Sequence, residues 1–142
     1  MKISTRGRYA IRVMVDLAEN NNGEYIPLTD IAKRQEISEK YLEAIVSLLV
    51  KGGLLTTLRG KKGGYRLVRT PDKYTLKDIL DITEGEFAPV SCLENEVNPC
   101  SRATGCKTLK MWTDFQKLVN DYFESITIES LMGDEGCLEY YI

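Results

Sequence analysis

Three cysteines stand in one stretch of this chain, spaced Cys92-x7-Cys100-x5-Cys106. Thiolates are the protein ligands preferred by soft metals and iron–sulfur clusters. The segment carrying them, residues 85–106, holds Pro89, Pro99 and Gly105 and shows no apolar periodicity, so it is expected to be a long loop. Structural thiols would sit on apolar faces, whereas these lie among Ser91, Glu94, Asn95, Asn98 and Ser101. A zinc finger would need Cys-x2-4-Cys spacing or a histidine, and the chain has no histidine. An iron–sulfur cluster commonly takes four ligands, of which this triad supplies three. The remaining cysteine, Cys137, lies beyond the last long helix and reads as a free thiol in a tail.

The elements around the loop fall into two halves of opposite charge. Residues 1–80 carry 15 Lys and Arg against 9 Asp and Glu, and residues 81–142 carry 4 against 12. A basic module joined to an acidic one suits a polyanion binder with a separate regulatory or dimerising part. No stretch approaches the length of apolar residues needed to span a bilayer, and the basic start lacks the apolar core of a signal peptide. The expectation is therefore a cytoplasmic protein without a membrane partner, in which cysteines stay reduced.

Within the basic half, helical spacing of Tyr9, Ala10, Val13, Met14, Leu17 and Ala18 predicts a helix over 8–19. A short helix over 28–34 follows Pro27. After the tight Glu36-Ile37 connection, Ser38 is placed to cap a third helix with Leu42, Ile45, Val46 and Leu49 inward, stopped by Gly52-Gly53. Two β-like runs, 54–58 and 65–68, flank the glycine-rich tip Arg59-Gly60-Lys61-Lys62-Gly63-Gly64. That order is a winged helix-turn-helix. Thr75 and Asp78 form a capping-box pattern opening a helix to about Thr83. Beyond the cysteine loop, Trp112, Phe115, Val119, Tyr122 and Ile126 predict a long helix over 107–124 with a two-heptad seam suited to pairing with a twin. A short helical turn at 127–132 follows.

The outer face of the third helix presents Glu39, Lys40, Tyr41, Glu43, Ala44 and Ser47, with Ser38 at its start. Polar side chains of this kind reach base edges in a major groove. At the wing tip, Arg59, Gly60, Lys61 and Lys62 combine cations with backbone that can approach phosphate closely, and Arg59 is the candidate for a narrow minor groove. Lys2, Thr5, Arg6 and Arg8 are candidates for backbone phosphates. An enzyme or electron carrier fits poorly, because the chain lacks histidine, a nucleophile–base pairing and a Gly-x-Gly-x-x-Gly phosphate loop.

The chain resembles the winged-helix transcription regulators of the IscR, NsrR and CymR superfamily, most of all its iron–sulfur members. The likeness rests on Met1-Lys2-Ile3-Ser4-Thr5-Arg6-Gly7-Arg8-Tyr9-Ala10, on Ile37-Ser38 with Tyr41-Leu42-Glu43, on Gly53-Leu54, Arg59-Gly60 and Gly63-Gly64-Tyr65, and on the three cysteines. It implies a homodimer with crossed long helices on a pseudo-palindromic DNA operator. It also implies that Cys92, Cys100 and Cys106 ligate an iron–sulfur cluster, expected to be [2Fe–2S]. Lys107-Thr108-Leu109 stands where some members carry a ligating histidine, and Arg8 where others carry an acidic ligand, so the fourth ligand is open. The ending Glu139-Tyr140-Tyr141-Ile142 instead resembles the cysteine-metabolism branch, which needs no cluster.

The sequence thus predicts a mainly α fold with a small β wing. A winged helix-turn-helix domain over 1–84, a cluster-binding loop over 85–106 and a dimerisation helix with tail over 107–142 make up its three parts. The expected function is a repressor or activator controlled by the loop. The alternative is thiol or partner control of sulfur metabolism on the same scaffold without a cluster.

Overall fold

The computed structural model describes residues 2–133, so Cys137 and the Glu139–Ile142 ending lie outside the described residues. The chain is mainly helical. Its elements run α1 (Thr5–Glu19), α2 (Leu28–Gln35), α3 (Glu39–Lys51), β1 (Leu55–Leu58), β2 (Gly64–Leu67), α4 (Leu76–Glu84), α5 (Leu109–Ser125) and α6 (Ile128–Leu131). Helices α1, α2 and α3 pack on one another, and α1 and α3 also pack on α4, around Val13, Met14, Leu17, Ile31, Leu42, Ile45, Val46, Leu49 and Ile79.

Local chemistry sets several boundaries. The first helix begins earlier than its apolar spacing suggests, because the Ser4 hydroxyl accepts the Gly7 N–H and caps it. Ser38 caps α3 by accepting the Tyr41 N–H. At Thr75 the capping box is closed in both directions: Thr75 accepts the Asp78 N–H, and Asp78 accepts the Thr75 N–H. Between α2 and α3, Glu36 takes a left-handed φ of 56°, turning the chain within one residue.

Strands β1 and β2 pair antiparallel from Leu55↔Leu67 to Leu58↔Gly64. Ile26 extends this hairpin, exchanging two backbone hydrogen bonds with Tyr65 at 2.9 and 2.8 Å. Gly64 lies at the crossing with φ 153°, and a Cβ there would sit 2.1 Å from the Ile26 carbonyl oxygen. Only glycine fits. Behind the wing, the buried Tyr74 hydroxyl accepts the Val68 and Arg69 N–H groups and donates to the Leu54 carbonyl at 2.8 Å. One side chain thereby joins both strand ends.

One sequence expectation is corrected. The seam Trp112, Phe115, Val119, Tyr122 and Ile126 does not face one way. On α5, which packs on α4, Val119 is buried, Trp112 half-buried, and Phe115 lies at the boundary, 38 % exposed and edge-to-face with Phe87 (6.0 Å) and Trp112 (6.4 Å), whereas Tyr122 points out with Met111 (52 % exposed) and Leu118 (66 % exposed). The cause is helical geometry: residues 112 and 119 lie about a quarter-turn from 111, 118 and 122, giving two adjacent apolar stripes. Residues 85–106 form a loop between α4 and α5, and the structure adds internal order to it. Short 3₁₀ turns form at Ser91–Leu93 and Ala103–Gly105, and Gln116 on α5 donates to the carbonyls of Phe87 (3.0 Å) and Leu93 (3.2 Å).

The short α6 returns to the first domain. Ile128 N–H donates to the Tyr74 carbonyl, Leu76 N–H donates to the Ile126 carbonyl, and the Ile128 side chain is fully buried in the common core. The short helix α6 therefore helps complete the winged-helix body.

Candidate nucleic-acid interface and thiol loop

The helix-turn-helix is built on a buried charge. Asp16 on α1 is 3 % exposed and accepts from Arg34 Nε (3.0 Å), Arg34 Nη2 (2.7 Å) and Gln35 Nε2 (2.9 Å) at the end of α2. The carboxylate holds the Arg34 guanidinium above its ordinary pKa. Arg12, one turn before Asp16, donates from Nε to the Gln35 side-chain oxygen Oε1 at 3.1 Å and from Nη2 to the Gln35 carbonyl. These bonds fix the turn that aims α3.

From that support, Glu39, Lys40, Tyr41, Glu43, Ala44 and Ser47 all emerge exposed on α3. Tyr41 meets Tyr9 edge-to-face at 5.7 Å, and the Arg12 guanidinium lies 5.0 Å from the Tyr9 ring centre. Ser38 is committed to its cap, although its residue is exposed. At the wing tip Arg59, Gly60, Lys61 and Lys62 are all exposed. The tip is closed by a Gly63 N–H to Gly60 carbonyl bond of 3.0 Å. Lys2 and Arg8 are exposed at the start of α1, with Arg8 Nη2 donating to Thr5 Oγ1 at 3.0 Å. Arg6 is partly used internally, since its Nη2 donates to the Thr83 carbonyl at 2.6 Å.

The loop thiols are all free: Cys92 is half-buried in the Ser91–Leu93 turn, and Cys100 and Cys106 are exposed. Cys106 Sγ lies 3.4 Å from Thr108 Oγ1. Hydrogen bonding from the Thr108 side chain, then from the Thr108 and Leu109 backbone, with the charge of Arg102, lowers the Cys106 thiol pKa below its ordinary value. The donors are those of the first turn of α5, where a thiolate is favoured.

Three free thiols on one loop fit an iron–sulfur cluster in chemical kind. They are not drawn together, however: among the described residues no three His, Cys, Asp or Glu side chains stand where they could share a metal ion. Holding a cluster would require this loop to close. Thr108, Gln116 and Asp16 are contributors that sequence reading missed. Thr108 alone left a legible sign, a hydroxyl two residues past a cysteine at a helix start.

Among the described residues, no helix is long and apolar enough to cross a membrane. CymR of Bacillus subtilis is 36 % identical over 146 residues, covering all of both chains. IscR of Vibrio campbellii is 34 % identical over 139 residues, covering 98 % of this chain and 82 % of that one. The solved structure of B. subtilis CymR, described as that organism's global cysteine regulator, superposes with a TM-score of 0.74 at 34 % identity, over 92 % of this chain and 95 % of that one. IscR from T. potens gives 0.71 at 29 % identity, over 99 % and 97 %. Residues 3–134 match the Rrf2 model, described as an iron-dependent transcriptional regulator. The chain belongs to the Rrf2 family of transcriptional regulators, with the winged-helix fold that this family shares.

Proposed function

We propose that this chain is a homodimeric, DNA-binding transcription regulator whose affinity for a pseudo-palindromic operator is set by a [2Fe–2S] cluster on Cys92, Cys100 and Cys106. The observation that carries the reading is the attachment of the loop. Gln116, which pins the loop through the Phe87 and Leu93 carbonyls, belongs to the helix that exposes Met111, Phe115, Leu118 and Tyr122. Those four residues follow 4- and 3-residue steps, the spacing of a seam between two copies. A change in the loop therefore acts on the helix that would set the distance between two α3 helices.

Base reading falls to Glu39, Lys40, Tyr41, Glu43, Ala44 and Ser47 on α3. Lys2, Thr5, Arg8, Lys61 and Lys62 neutralise or contact phosphates, and Arg59 enters a minor groove. A bound cluster supplies a redox-sensitive tie among three points of the loop. The similarity to IscR proteins supports this assignment. Anaerobic purification followed by iron and sulfide analysis with absorption and Mössbauer spectra tests it. About two irons and two sulfides per chain, lost on Cys92→Ala, is the expected result. Iron-free, colourless protein would overturn it.

One observation favours a second reading, thiol control without a cluster. Cys106 is exposed and acidified, the two properties of a reactive cysteine. The likeness to CymR, a global cysteine regulator in B. subtilis, points the same way.

A further inference from the structure

The start of α1 is fastened to the end of α4 by one carboxylate. Glu84 Oε1 accepts the Ser4 N–H at 3.0 Å and also the Ser4 hydroxyl, whose oxygen in turn accepts the Gly7 N–H. The first turn of α1 carries no acidic residue of its own, so Glu84 supplies from another helix the anion that a helix N-terminus favours. Beside it, the Arg6 guanidinium holds the Thr83 carbonyl. On one side of this junction stand Lys2, Thr5 and Arg8, and on the other Gly85 begins the cysteine loop.

We propose that Glu84 is a positioning residue that registers the N-terminal segment of α1 for phosphate contact and passes movements of the cysteine loop to it. The proposal rests on the reading of loop-controlled DNA binding given above. Its mechanical basis is short: Glu84 directly precedes the first residue of the loop, and its two hydrogen bonds end on the N-cap of the helix carrying Thr5 and Arg8.

Gly7 offers a way to displace the carboxylate without altering it. A Cβ on Gly7 would lie 2.3 Å from Glu84 Oε1, the movable end of a flexible side chain, with Ile3 Cγ2 next at 3.0 Å. Alanine is the better helix former, so Gly7→Ala releases the latch while favouring α1 itself. Glu84→Ala removes the latch outright.

The test uses full-length protein and a DNA duplex selected in vitro against the wild type. Affinity is measured across salt concentrations without oxygen, with the loop thiols holding a reconstituted cluster and with the thiols of cluster-free protein blocked by iodoacetamide. Both variants are expected to lower the slope of log affinity against log salt by roughly one to two, the signature of one or two lost phosphate contacts. Adding Lys2→Ala to Gly7→Ala is expected to change the slope little further, because the contact is already lost. The dependence of affinity on thiol state should also shrink until the two states bind alike. Gly7→Ala that melts like the wild type yet keeps its salt slope and its response to thiol state would overturn the proposal. Identical affinities for the two wild-type thiol states would sink loop control and the transmission with it, while the slope would still decide the positioning role alone.

Discussion

The Arg34 guanidinium closes on the buried Asp16 carboxylate with two hydrogen bonds, 2.7 and 3.0 Å long, and so locks α2 to α1 immediately before the turn into α3. Removing one partner of such a pair leaves an uncompensated charge. Asp16→Ala is expected to cost about 2–4 kcal/mol, reduced from a fully buried pair because Arg34 is partly exposed. Urea unfolding checks this, through a lower midpoint with an unchanged slope. A loss below about 0.5 kcal/mol would mean that the α1–α2 joint does not depend on the pair.

Leu118 lies at the middle of the exposed stripe on α5, beside Asp114 and Asp121. Leu118→Asp would place a carboxylate in the proposed seam without disturbing the core. Sedimentation should change from dimer to monomer, and DNA affinity should fall more than about ten-fold as one of two half-sites is lost. An intact dimer would move the interface elsewhere.

Cys106 has its thiol pKa lowered chiefly by Thr108, so its thiolate fraction at neutral pH exceeds that of an ordinary thiol. Thr108→Val removes the hydroxyl donor and raises the pKa toward the ordinary value. Alkylation of Cys106 at neutral pH, followed by mass spectrometry, should slow. At pH well above the ordinary thiol range, where both proteins are ionised, the variant should react at least as fast as the wild type, because its more basic thiolate is the better nucleophile. Equal rates at neutral pH would remove Thr108 as the cause.

Arg59 stands at the exposed wing tip beside Gly60. Arg59→Ala should weaken binding most on duplexes whose flanks have a narrow, A·T-rich minor groove. A uniform loss across flanking sequences would make Arg59 a phosphate contact instead.

Features set by short-range chemistry were legible in the order of residues alone. Ser38 and Thr75 cap the helices their sequences announce, and Leu42, Ile45, Val46 and Leu49 are all buried as their spacing requires. Each such feature is decided within one or two turns of chain. What escaped depends on distant partners. Asp16 looks like a solvated acid until Arg34 and Gln35 reach it from another helix. Ile128 reads only as part of a short helical turn until the Tyr74 carbonyl receives its N–H. On α5 the spacing 112, 115, 119, 122 was real, but a broad apolar arc does not reveal which edge meets its own domain. The cysteine spacing disclosed the donors, not the Gln116 bonds that seat their loop.

The most direct measurement is the affinity, at one fixed salt concentration and without oxygen, of cluster-reconstituted wild type and of the Cys92→Ala, Cys100→Ala, Cys106→Ala triple variant for the same selected duplex. We predict a difference of about ten-fold or more, the usual range for coupling between two sites. Equal affinities, with both proteins dimeric and folded, would contradict control of the DNA-binding face by the loop.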